Sequence, residues 1–390
     1  MGKNERQAYL KAIRSRYRRT GKKAKAAILD EFCAVCGYHR KYAIRLLSRR
    51  GKARPPGRPG RKPRYAAPEL LMALKRLWFA SDQMCSKKLK AAIPLWLPHY
   101  ATVYPALTAE TQVQLRSISA ATIDRLLQPV RVVHPRRGLG GTRPGSLLKN
   151  QIPIRTHFWD VAQPGFMEAD TVAHCGNSLA GSFVWSLTMT DILTSWTESR
   201  ATWDKGAAGV LTQIRDIEAH LPFVLRGFDC DNGSEFLNYH LVRYFTGHPS
   251  LKSFTRSRPY KKNDNAHVEQ KNWSHVRQLF GYDRFEEPQL LPLMNDLYTH
   301  EWSLYQNHFC PSMKLQEKHR INSKYVKKYD PPQTPYQRVL ASDQITDAAK
   351  QRLRTTHQSL NPFILKQAIE KKLQTIFKLV KVTSNVRQRI

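Results

Sequence analysis

Apolar residues recur at helical spacing through the first third of the chain. Tyr9, Ile13 and Tyr17 stand at i, i+4 and i+8, the stripe of one helix. In AKAAILDEFCAVCGYHRKYAIRLLSRR, Ala27, Ile28 and Phe32 line a predicted helix and Gly37 makes the turn. Ala43, Ile44 and Leu47 line the next helix, which gives helix-turn-helix spacing. Leu70, Leu71, Leu74, Leu77 and Trp78 form a further stripe, and Leu89, Ile93 and Trp96 another. RSISAATIDRLLQP supplies Ser119 as an N-cap and Pro129 just past the end of a short helix over 120–127, with Ile123, Leu126 and Leu127 inward.

The period then changes. GFMEADTVAH, SFVWSLTMTD and TSWTESRAT are strand-like runs rich in aromatic and β-branched residues, separated by CGNSLAG and ILT. A helical run (KGAAGVLTQIRDIEAHL), a buried strand (FVLRGFDCD), a helix (EFLNYHLVRYFTG), a short strand (KSFTRSRPY) and a long helix from near Asn265 follow. Three successive strands, then alternating helix and strand, predict a mixed five-stranded sheet flanked by helices. The last 85 residues are basic, with strand-like pieces around 323–339 and a terminal helix, FILKQAIEKKLQTIF. Pro, Gly and Arg crowd residues 51–64 and again 134–153, which reads as linkers. The expected division is therefore 1–50, linker 51–64, a second helical unit over 65–133, linker 134–158, an α/β core over 159–305 and a basic region over 306–390.

Charge narrows the function. Lys and Arg total 64 against 30 Asp and Glu, a formal net +34 in 390 residues. Such a chain repels itself unless a polyanion is its partner, and DNA fits better than a membrane surface, because no long amphipathic apolar face stands out. Residues 1–64 hold 21 cations and 3 acids, about half the excess. Arg40, Lys41 and Arg45 fall on the outer face of the second predicted helix, available to phosphates or base edges; an ordinary solvated helix face is the alternative. Arg58, Arg61 and Arg64 sit in the linker, either as an extended minor-groove peptide or as a basic tether. Arg125 lies on the short 120–127 helix, a candidate recognition helix. Six scattered cysteines read as reduced thiols. With no signal peptide and no 18-residue apolar run, the expected location is cytoplasmic and DNA-associated, with no membrane.

The chemistry rests on acids. Asp170 lies inside the first strand, Asp231 at the end of a buried strand before an Asn-Gly turn, and Glu269 in the first turns of a helix. Carboxylates suit Mg²⁺, a hard ion that takes oxygen ligands and completes its shell with phosphate oxygens. FDCDNGSEF followed by RPYKKNDNAHVEQKN resembles the core of integrase-type DDE transposases and retroviral integrases, over about residues 159–305. Sixty residues separate Asp170 from Asp231 and 37 separate Asp231 from Glu269, the second spacing close to that family's.

The resemblance implies an RNase H-like fold in which Asp170, Asp231 and Glu269 hold two Mg²⁺ ions, with Mn²⁺ able to substitute. It also implies cleavage at transposon ends, transfer of the 3′-hydroxyl into target DNA, and a homo-oligomer, dimer or higher, on paired ends. Asp229 is a rival ligand; Asp191 and Asp264 read as a turn residue and a helix cap. Asn265, Asn272 and the cations Arg256, Arg258, Lys261 and Lys262 lie beside the acids, where a substrate strand needs its phosphates neutralised; solvated loop charge is the alternative for any one of them. Lys271 and Arg277 are further DNA-contact candidates.

Cys33-x-x-Cys36 with His39 lacks a second ligand pair, so Cys33 and Cys36 read as core residues and not as zinc ligands. No phosphate-binding Gly-rich loop ending in Gly-Lys-Ser/Thr is present, and no signature singles out a nucleophilic Tyr or Ser. Two alternatives stay open: a transposase-derived DNA-binding protein without activity, and a structure-specific nuclease of the same fold.

Overall fold

The computed structural model describes residues 2–48, 64–134, 161–230, 236, 239–256, 266–321 and 324–387. They belong to two compact units, Met1–Arg64 and Tyr65–Ile390.

In the first unit, α1 (Lys3–Arg19), α2 (Lys22–Cys36) and α3 (Arg40–Ser48) enclose a small core. Ile13 and Tyr17 close on Ile28, Leu29, Phe32 and Cys36 of α2 and on Ala43 and Leu47 of α3. Gly37 ends α2 in the left-handed region, φ 67°, its N–H returning to the Cys33 carbonyl. A three-residue turn then leads into α3. Two expected core positions are corrected: Ala27 and Ile44 face outward, and Leu29 and Cys36 take the inward places. The bulkier Ile28 and Leu29 pull the buried stripe round the helix, because a methyl group brings little apolar area. Nearly all of the 51–64 linker lies outside the described residues.

The second unit is built on β1 (Phe166–Ala173), β2 (Val184–Asp191), β3 (Thr197–Trp203), β4 (Gly227–Cys230) and β5 (Ser253–Arg256). Their order is β3-β2-β1-β4-β5. The first three strands are antiparallel neighbours, while β4 runs parallel to β1 and to β5. This mixed sheet is consistent with the RNase H-like core that the resemblance implies.

Alternation along the strands gives the sheet two different faces. Met167, Ala169, Leu187, Met189, Phe228 and Cys230 face one way, onto α8 (Ala207–His220) and α9 (Tyr239–Thr246). Glu168 and Asp170 face the other way, in register with Thr190 and Thr188 of β2. Hydroxyls bridge β2 to β3 on that face, Thr190 to Thr197 at 3.2 Å and Thr188 to Ser199 at 3.5 Å.

The polar face is covered by α10 (Ala266–Lys271), which passes through a π-helical turn, Asn272–Arg277, into α11 (Gln278–Phe280). After these come α12 (Leu290–Asp296), a second π-helical turn, Leu297–Trp302, and α13 (Ser303–Phe309). Two asparagines from this layer close the open edge of β3. Asn295 accepts from the Ala201 N–H at 2.6 Å and donates to its carbonyl at 3.0 Å. Asn307 does the same for Thr197, at 3.0 and 2.9 Å. Each amide mimics a neighbouring strand and blocks edge-to-edge pairing.

The helices over 65–133 are not a separate unit. α4 (Pro68–Ala80), α5 (Ser86–Trp96), α6 (Ala109–Ser117) and α7 (Ala120–Val133) share one hydrophobic core with α12, α13 and the terminal α16 (Pro362–Arg387). Trp96 donates to the Phe309 carbonyl at 3.1 Å, and the Tyr305 hydroxyl to the Ala80 carbonyl at 2.9 Å. α7 also runs six residues beyond the expected end, through Pro129. Leu127 and Val130 pack into the core on either side of Pro129 and outweigh its missing N–H.

The expected strand region 323–339 is partly helical. β6 (Leu315–Ile321) and β7 (Lys324–Tyr329) form a two-stranded ribbon, then α14 (Pro335–Ala341) and α15 (Asp347–Ser359) lead into α16. A Thr334 capping box starts α14.

Two of the buried histidines are expected to make the unit acid-sensitive. His174 meets the Ser186 hydroxyl at 2.7 Å, and burial, reinforced by Arg277, lowers its pKa to about 3. His308 stacks on Tyr336, and burial lowers its pKa to about 3 as well. Unfolded imidazoles titrate near 6.5, so between there and about 3 the unfolded chain binds more protons and stability falls as pH drops. The expected loss is about 1.4 kcal/mol per pH unit for each histidine. Urea unfolding at pH 7 and pH 5 checks this: His308→Asn should lose about 2 kcal/mol less over that interval than wild type. Parallel losses in both proteins would refute it.

Candidate active site

Asp170 sits on β1, the middle strand of the sheet, paired with Thr188 of β2. Its Oδ1 accepts from the Thr171 N–H at 2.7 Å, and its Oδ2 from the Asn272 amide at 2.6 Å. Two residues earlier on the same face, buried Glu168 accepts from the Val268 N–H at 3.0 Å. That carboxylate sits at the N-terminal turn of α10, where a negative charge is favoured by orphan N–H groups and the helix dipole. Glu168 and Asp170 thus clamp one helix against one strand at two successive turns.

Glu269 follows Val268 and precedes Asn272 by three residues, so it shares a helix face with the amide that touches Asp170. It is exposed. On the neighbouring strand, the described β1–β4 register ends at Ala169 opposite Cys230. Asp231 is the next residue of the chain and lies outside the described residues, as do Asp264 and Asn265.

The rivals separate by their contacts. Asp229 is buried and accepts from the Thr255 hydroxyl at 2.5 Å, which occupies it in holding β4 to β5. Asp191 closes the β2–β3 turn, accepting from the Gly165 N–H at 2.7 Å and from the Thr194 N–H and hydroxyl at 2.6 Å.

The donors here suit a hard divalent cation. Asp170, Glu269 and Asn272 offer only oxygen, and the buried Asn272 Oδ1 has no hydrogen-bond partner while its Nδ2 is spent on Asp170. Among the described residues, no group of three or more His, Cys, Asp or Glu gathers as a metal site. Lys271 is turned away from solvent. Its ammonium is turned in to the Ser195 carbonyl at 3.4 Å, and burial, with Lys88 and Arg338 nearby, lowers its pKa to about 7.

Two expected DNA contacts are therefore redirected. Lys271 points into the protein, and Arg277 folds back onto the Gly281 carbonyl at 3.3 Å and over the Tyr282 ring at 4.7 Å. Lys271 thus ties its helix to the β2–β3 turn, and Arg277 closes the end of its own helix. Arg40 of α3 pairs with Asp30, Lys41 is exposed beside it, and Arg45 lies 5.0 Å over the Tyr42 ring. Arg125 is exposed on α7, donating to the Thr122 hydroxyl at 3.1 Å. Arg64 is exposed, and Arg256 ends β5. Arg58, Arg61, Arg258, Lys261 and Lys262 lie outside the described residues.

Glu168 was not singled out in the sequence, although its offset of two from Asp170 put it on the same face. No described helix is long and apolar enough to cross a membrane.

No protein-family profile matches the chain. Protein y4rM of Sinorhizobium fredii (strain NBRC 101917 / NGR234), itself uncharacterized, is 42% identical over 333 residues, covering 84% of this chain and 93% of the relative. Among solved structures, the catalytic core domain of BIV integrase aligns with a TM-score of 0.29 and 13% identity, over 46% of this chain and 95% of that one. The HTLV-2 integrase catalytic core domain, in complex with magnesium in a dimeric form, aligns with a TM-score of 0.28 and 14% identity, over 38% and 90%. At those values neither likeness transfers a residue's role.

Proposed function

The chain belongs to the family that includes y4rM of Sinorhizobium fredii, and from its own carboxylates we propose that it is a DNA transposase, cleaving at element ends and joining the 3′-hydroxyl to target DNA. The observation that carries this reading is the double clamp of the Glu269 helix onto β1, through Glu168 to Val268 and Asn272 to Asp170. It brings the turn that carries Glu269 against the strand that carries Asp170. Asp231 follows Cys230, the last residue of β4, in the sequence.

Asp170, Asp231 and Glu269 would hold two Mg²⁺ or Mn²⁺ ions, which when bound polarise a phosphodiester and sharpen a hydroxyl nucleophile. Asn272 keeps the Asp170 carboxylate turned toward the helix. Glu168 fixes the helix on its strand. The DNA is gripped by cations: Arg40, Lys41, Arg45, Arg58, Arg61 and Arg64 before the sheet, Arg125 on α7, and Arg256, Arg258, Lys261 and Lys262 beside the acids. The helical segments 1–50 and 65–133 read element ends, and a dimer or larger assembly pairs two of them.

The test is direct. Purified protein with Mg²⁺ or Mn²⁺ is expected to nick duplexes carrying the DNA that flanks its gene and to join the new 3′ ends to a second duplex. Chelation should abolish both. Cutting without joining would favour a nuclease, and binding with no cutting in either metal would overturn the enzymatic reading.

A further inference from the structure

β6 and β7 form a ribbon whose every described side chain, on both faces, is exposed. A two-stranded ribbon is marginal on its own, and here it is braced at its base. Asp330 accepts from the Lys314 N–H and pairs with Arg338 at 2.9 Å, while the Lys314 ammonium reaches the Leu193 carbonyl at 2.8 Å.

The register sorts the ribbon's side chains. Glu317 pairs with Lys328 and His319 with Val326 on one face, where Glu317 also binds Lys328 at 2.9 Å and His319 at 3.2 Å. The other face carries Arg320 opposite Tyr325, then Lys327, and Tyr329 opposite Leu315, and has no acid.

We propose that this acid-free face lies in a groove of duplex DNA. Two strands about 4.8 Å apart fit the roughly 12 Å major groove, and cations alternating with tyrosines match a polyanion that also offers sugar and base surfaces. The base of the ribbon rests on the β2–β3 turn, which also receives the Lys271 ammonium from the helix that carries Glu269. Thr188, the partner of Asp170, stands three residues from Asp191 at the start of that turn, about 10 Å along β2. The ribbon, about 20 Å long, is longer than that separation. The choice of partner rests on the proposed function; the asymmetry of the two faces does not.

The test uses the full chain and a short linear duplex of mixed sequence, with affinity followed by fluorescence anisotropy across a salt series. Arg320→Ala with Lys327→Ala should lower the slope of log affinity against log salt by roughly 2 and weaken binding roughly tenfold or more. Glu317→Ala with Lys328→Ala, on the opposite face and neutral in net charge, should change neither. An unchanged slope in the first variant, or an equal fall in the second, overturns the inference.

As a second readout, p-benzoylphenylalanine at Tyr329 should cross-link to DNA, and at Val326 should not. Cross-linking from Tyr329 to another copy of the chain or to anionic vesicles, and not to DNA, also overturns it. Absence of nicking by the wild-type protein would leave the slope comparison intact, so the two readings fail separately.

Discussion

Asp170→Asn is expected to abolish metal-dependent nicking, a loss of at least a thousandfold, while the protein stays folded and bound to DNA. The substituted amide can turn its one oxygen to the Asn272 amide and give up the contact to the Thr171 N–H, so the contact at 2.6 Å has an acceptor and the helix stays on its strand. What disappears is a full negative charge facing the proposed ions. Metal-held charge stabilisation of several kcal/mol, on the order of 4, corresponds to that factor in rate. DNA affinity should change little, because the proposed DNA contacts are lysines and arginines elsewhere. Nicking and anisotropy on the same preparation decide it: retained cutting would remove Asp170 from the chemistry, and lost binding would make its role structural.

Trp96→Ala is expected to cost about 3–5 kcal/mol for the lost ring, with a further 1–3 kcal/mol for the carbonyl left without its donor. Trp96 is 1% exposed and donates to the Phe309 carbonyl at 3.1 Å. Its ring meets Tyr305, Phe309 and Phe363 edge-on, with centroids 5.9, 6.5 and 5.1 Å away. One side chain therefore joins α5 to α13 and α16. A typical domain has about 5–15 kcal/mol in all, so the variant should be largely unfolded or close to it at 37 °C. Denaturant unfolding measures the loss, with Trp273→Ala, 39% exposed, as a control expected to cost under about 1 kcal/mol. If the two tryptophans cost the same, the shared core is not what holds these helices.

The sheet was legible because its signals are local. Aromatic and β-branched runs marked the first three strands and an apolar run the fourth, and the Asp-Asn-Gly and Val-Glu-Gln-x-Asn segments marked the acids by resemblance. Asp170 and Glu269 were legible as types of residue, but their approach depends on Glu168 and Asn272, whose hydrogen bonds join positions 100 or more apart in the chain. The Asn295 and Asn307 amides on β3 were invisible for the same reason, since nothing nearby distinguishes them from solvated asparagines. Leu70, Leu77 and Trp96 announced helices correctly, yet periodicity reports that a face is buried and not what buries it. The helices over 65–133 therefore read as a domain of their own when they are a layer of a larger one. Pro129 misled because a proline signals a break only where packing does not override it.

That layering decides where the protein can be cut. The Gly- and Arg-rich stretch after His134 invites truncation, and a fragment starting there would retain every residue of the sheet. It would also bare the faces of α13 and α16 on which Trp96 and Tyr100 rest, and such a fragment should come out of cells as aggregate. A soluble piece that keeps the candidate site has to begin upstream of Pro68, taking the four helices with it as its lining.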